Sequence, residues 1–156
     1  MLPIVVGQSL LVSLIWGIAT SIQKYSLRSL EPYVVICIQS MFYTLAILTF
    51  LCVQWKTISK GFKVVTPKLL LILAFTAIIG GFSANLIYMH ILKNNNSAIV
   101  SALTSVSPIF VLIISLLLLK EKIHPIAVAG VFVTVFGVAL ISYGDHIISE
   151  NYYSIE

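Results

Sequence analysis

Charge is what this sequence has least of. Only 9% of its 156 residues are Asp, Glu, Lys or Arg. A soluble domain carries about a quarter, because water must wet its surface. With 60% hydrophobic residues and a mean hydropathy of +1.09, the chain cannot cover a water-facing surface of its size. Lipid is the solvent that remains. A dense basic patch is missing as well. The net charge of +4 comes from nine basic residues scattered over short breaks, which argues against a nucleic-acid partner. They read instead as topology signals at a membrane surface. Cysteine is scarce. Cys37 and Cys52 share one apolar segment about four helical turns apart, too far to pair, and read as apolar thiols. The first segment lacks a basic n-region and outlasts a typical signal-peptide core, so it reads as a retained helix. No metal-ligand spacing, phosphate-binding loop or nucleophile elbow occurs. Neither an enzyme nor a cofactor is expected.

What is present is apolar length. Five stretches run from about Leu2 to Gln23, Tyr33 to Val53, Leu69 to Leu92, Ser97 to Leu119 and Pro125 to Tyr143. Each holds 19 to 24 residues, and about 20 are needed to cross a hydrocarbon core as helix. The ten-residue alternation of a membrane barrel is not seen. Backbone groups in lipid must bond internally, so helices are the solution left. The expected fold is an all-α membrane protein of five transmembrane helices over residues 1–144. A short polar tail, 145–156, follows with Asp145, Glu150 and Glu156. Pro125 suits a helix start. Pro108, inside the fourth segment, should kink it or free a carbonyl.

Lysine and arginine placement sets the expected topology. Five spans put the N-terminus and the second and fourth breaks on one side, with Lys56, Lys60, Lys63, Lys68, Lys120 and Lys122. The other side holds Lys24, Arg28, Lys93 and the acidic tail. The six-to-three bias predicts a cytoplasmic N-terminus and an outer C-terminus.

Polar groups in lipid are costly unless paired or facing a wet cavity, so their positions bear on function. Ser9, Ser13, Trp16, Gly17, Thr20 and Gln23 form a stripe on segment one. Segment two clusters Gln39, Ser40, Tyr43 and Thr44. Segment three carries Gly80, Gly81, Asn85, Tyr88 and His90, and segment four Ser97, Ser101, Thr104, Ser105 and Pro108. Two readings share these residues: small and hydroxyl groups as helix–helix glue, or a polar cavity lined by segments one to four. The amides Gln39 and Asn85 favour the cavity, since a hydroxyl can bond back to its own helix and an amide is harder to accommodate. Trp16, Tyr43 and Tyr88 are candidate aromatic walls. His90, close to the end of its segment, reads as interfacial. Ala127, Gly130, Thr134 and Gly137 give segment five a narrow packing stripe. No charged residue falls in the middle third of any segment, which disfavours a cation exchanger working through a buried acid.

One stretch is familiar. Tyr88, the turn Lys93-Asn94-Asn95-Asn96, the Ala- and Ser-rich helix start, Ser107-Pro108, the leucine run from Leu116 and Glu121 together resemble the EamA domain of the drug/metabolite transporter superfamily. Trp16-Gly17, Glu31-Pro32 and the Gly-rich run from Ala129-Gly130 to Leu140 fit the same pattern. The resemblance covers nearly the whole chain as one five-helix repeat. It departs at Gln39, where the family often has Arg, which argues against carrying over an anionic substrate. It departs again at Leu119-Lys120, where the family has Leu-Gly.

The resemblance implies one half-repeat of a ten-helix fold, in which two inverted repeats enclose a substrate path. It implies a secondary transporter of small metabolites, such as amino acids or related polar solutes. The candidate path residues are Trp16, Thr20, Gln39, Tyr43, Asn85, Tyr88, Ser101, Thr104, Ser105 and Pro108. The expected partners are the lipid bilayer, a small-molecule substrate, and a second copy or a second half-size subunit. The charge bias favours a parallel homodimer, whereas the inverted architecture favours an oppositely oriented partner. Competing readings are a lipid-linked sugar flippase subunit, a non-transporting assembly protein, and an exporter resembling the small multidrug resistance proteins. That last group relies on a first-helix Glu that this chain lacks.

Overall fold

Hydrophobic length dictates the architecture. In the computed structural model of the chain, the backbone is described from Leu2 to Tyr153 and side chains from Pro3 to Asp145. Glu150 and Glu156 of the expected tail therefore lie outside the described side chains. Among the described residues the secondary structure is helical, without a strand. Five helical stretches are long and apolar enough to cross a membrane: Pro3–Leu27, Pro32–Val53, Pro67–Asn94, Ser97–Leu119 and Pro125–Asp145. These are the five expected segments, most of them extended by a few residues.

The first span is α1, Leu2–Leu27, and the second is α2, Pro32–Val53. The break after α2 reads as polar loop in the sequence, but it contains a further helix, α3, Trp55–Phe62. Eight residues are too few to register as a span. The third span is α4, Pro67–Thr76, then a π-helical stretch, Ala77–Ser83, then α5, Ala84–Asn94. The wide turn falls on Gly80-Gly81, where no side chains crowd it, and the Ser83 hydroxyl donates to the carbonyl of Ile78, five residues back, at 3.0 Å. The starts follow capping chemistry. Pro32 and Pro67 occupy first-turn positions, where a missing N–H costs nothing. Thr66 Oγ1 accepts from the Leu69 N–H, Asn96 Oδ1 from that of Ala98, and His124 Nδ1 from that of Ile126.

Pro108 breaks the fourth span, as its sequence position predicts. Helix α6, Ser97–Thr104, gives way to α7, Ser107–Ile114, and a second π stretch, Ser115–Leu119, ends the span. Proline has no N–H for the carbonyl four residues back, and its ring crowds that carbonyl. The last helix, α8, runs Pro125–Tyr153, so much of the expected tail continues the helix.

The chain divides into two compact units, Ile22–Asn94 and Met1–Ser21 with Asn95–Glu156. In the first, α2 packs on α5, and Leu27, Pro32, Val35, Ile36, Met89 and Leu92 are buried. In the second, α6 and α7 pack on α8, and Val100, Leu112, Ser115 and Val138 are buried. Cys37 and Cys52 are both free thiols, as their spacing requires.

Lys120 closes the second π stretch with φ 52° and ψ 35°. A left-handed backbone costs an L-residue with a Cβ roughly 1–2 kcal/mol, and glycine avoids that cost. This is the position where the sequence departs from the family's glycine. Lys120→Gly should therefore stabilise the detergent-solubilised protein by about 0.5–1 kcal/mol. Thermal unfolding of the two proteins in one detergent measures it, and a lowered midpoint would contradict the strain.

Candidate functional site

The hydroxyls of the spans are mostly satisfied by their own helices. Ser13 donates to the carbonyl of Ser9, Ser21 to Gly17, Thr44 to Ser40 and Thr134 to Gly130, all near 3 Å. Thr104 bonds the carbonyls of Val100 and Ser101, and Ser105 that of Ser101 at 2.8 Å. Each saturates itself within one turn. Amides and charges need partners elsewhere, and in the unit Ile22–Asn94 Gln23, Lys24, Glu31, Gln39 and Lys93 find them near one end of the helices.

Gln23, near the end of α1, donates from Nε2 to Oε1 of Gln39, two turns into α2, at 3.0 Å. The pair joins the first span to the second and leaves further donor and acceptor positions on both amides. One residue on, Lys24 Nζ donates to the carbonyls of Leu92 and Lys93 at 2.7 and 2.8 Å. Both carbonyls belong to the last turn of α5, where no intrahelical N–H remains for them. The ammonium also sits at the negative end of the helix dipole. Lys93 in turn reaches Glu31 Oε1 at 2.6 Å, an ion pair whose side chains are 29% and 69% exposed. Glu31 is the N-cap residue of α2, with its backbone extended at ψ 147°. Beside it, Tyr33 and His90 meet edge to face with centroids 5.0 Å apart, and His90 Nδ1 bonds the Leu86 carbonyl at 3.0 Å. Leu27, Met89 and Leu92 are 1%, 0% and 0% exposed within the same unit. A dry apolar cluster thus backs a polar network tying the ends of spans one, two and three. His90 belongs to that end.

The sequence-selected path residues fall in both units. Gln39, Tyr43, Asn85 and Tyr88 lie in Ile22–Asn94. Gln39 acquires a polar partner from another span, Tyr43 and Asn85 are exposed, and Tyr88 is half-buried. Trp16, Thr20, Ser101, Thr104, Ser105 and Pro108 lie in the other unit, with Trp16 exposed and Thr20 half-buried. There the segment-four hydroxyls crowd onto the Ser101 carbonyl just ahead of the Pro108 break. Sequence reasoning passed over Lys24, Glu31 and Lys93 as loop charges. The signal that could have found them is topological, because a five-span path returns all three to one membrane face.

Residues 4–143 match the EamA-like transporter family. The chain belongs to that family. An uncharacterized transporter of Archaeoglobus fulgidus is 29% identical over 131 residues, covering 81% of this chain and 43% of the relative. An uncharacterized transporter of Clostridium kluyveri is 24% identical over 138 residues, covering 88% of this chain and again 43% of the relative. This EamA-like chain thus spans less than half the length of the curated relatives it matches. No solved structure matches it. Family and helix pattern together make it an integral, multi-pass membrane protein.

Proposed function

We propose that this EamA-like chain is one half of a secondary transporter for small polar metabolites, uncharged or zwitterionic, such as amino acids. A second five-helix half completes the path. The observation that carries this reading is the amide pair Gln23–Gln39 joining two spans. Hydrogen-bond capacity without net charge suits a solute that is polar but not anionic or cationic. The charge-free middle thirds of the spans support the same choice, since a buried carboxylate or cation would select the opposite ion. Alternating access would rock the two halves about the path.

The test is flux. Protein reconstituted into proteoliposomes, with its oligomer verified by cross-linking, is offered a panel of labelled amino acids and polar solutes under proton or sodium gradients. Saturable uptake of at least one member is expected, above protein-free vesicles. A folded, assembled sample that moves none of them overturns the reading.

A further inference from the structure

Helix α3 has a composition that neither packing nor a path requires. Helical steps of three, four and seven put Trp55, Ile58 and Phe62 on one stripe. The same steps put Lys56, Lys60 and Lys63 on another. Trp55 and Phe62 are 59% and 62% exposed, and all three lysines are exposed. Lys68 follows in the first turn of α4. No acidic residue lies anywhere between Glu31 and Glu121, so this cationic stretch has no nearby sequence counterion. Only Gln54 separates α3 from the end of the second span, and the third span starts at Pro67. Both ends of α3 are therefore tied to the bilayer surface.

We propose that α3 lies in the membrane interface and binds anionic phospholipid. Trp55, Ile58 and Phe62 enter the acyl boundary, and Lys56, Lys60 and Lys63 gather negatively charged headgroups. An amphipathic helix with aromatics on one face and lysines on the other is built for that layer. Its attraction is electrostatic and acts within a Debye length of the surface. Such a clamp also fixes the α2–α4 connection against the more anionic leaflet.

The test uses the full chain with Trp16→Phe, which leaves Trp55 as the single tryptophan. It is reconstituted into phosphatidylcholine vesicles carrying either brominated phosphatidylglycerol or brominated phosphatidylcholine at equal mole fraction. Bromine quenches tryptophan at close range, so quenching reports which lipid touches α3. The anionic probe should quench Trp55 roughly two-fold more than the zwitterionic one, and high salt should erase the difference. The combined variant Lys56→Gln, Lys60→Gln and Lys63→Gln should lose the preference and keep the quenching by phosphatidylcholine. Equal quenching by both probes in the lysine-intact protein would remove the anionic preference. No quenching by either would put water or another protein against α3. Both results overturn the proposal, and neither depends on transport.

Discussion

Replacing Gln39 by Leu should lower substrate flux about ten- to hundred-fold while the protein remains folded. Removing a hydrogen-bonding partner from a low-dielectric path costs roughly 1–3 kcal/mol, and each 1.4 kcal/mol is about a factor of ten. The structural cost of the same change is smaller. Hydrogen bonds between membrane helices average about 0.6 kcal/mol and reach about 1.7. A double-mutant cycle of Gln23→Leu with Gln39→Leu should therefore show a stability coupling below about 2 kcal/mol. The decisive comparison is initial uptake rate in proteoliposomes against unfolding midpoint for the same preparations. Full flux in a folded Gln39→Leu protein would reassign the amide pair to helix–helix glue.

Lys24→Met should destabilise the protein by about 2–4 kcal/mol, the largest effect of any single charge removal in this polar network. Bonds from a charged donor are worth about 1.5–3 kcal/mol, and Lys24 donates to the carbonyls of Leu92 and Lys93. Its removal strands two carbonyls at the end of α5 and takes a cation from the negative pole of that helix. Lys93→Gln provides the contrast. Its partner Glu31 is 69% exposed, and exposed ion pairs contribute about 0–1 kcal/mol. Lys24→Arg, which keeps charge and donors, should recover more than half of the stability. Unfolding by increasing SDS fraction in mixed micelles ranks the three variants. Equal effects of Lys24→Met and Lys93→Gln would show that the carbonyl bonds carry no special weight.

The five spans were legible because length and hydropathy are properties of whole segments. The break at Pro108 was legible because one missing N–H has a local consequence. Features that depend on partners were harder to read. Helix α3 is signalled by Trp55, Ile58 and Phe62, but eight residues between two spans pass for a loop. The π stretch at Ala77–Ser83 leaves Gly80-Gly81 as its sequence trace, and a glycine pair in a membrane helix reads equally as packing. Gln23 stood on the polar stripe of the first span, yet its link to Gln39 across 16 positions has no local signature. Lys24 is the sharpest case. In sequence it marks where hydrophobicity stops, yet α1 continues to Leu27 and the ammonium is held by a helix end far along the chain.

That distance has a consequence for biosynthesis. Lys24 precedes Leu92 by 68 residues. At ribosomal speeds of about 5–20 residues per second, the lysine waits roughly 3 to 14 s for the carbonyls it will cap. Through that interval the second span and then most of the third are still being made, and the charge of Lys24 must be solvated by water or lipid headgroups. The bond to α5 closes only when the third span arrives, so the join between the first and third spans is the last of these contacts that synthesis allows.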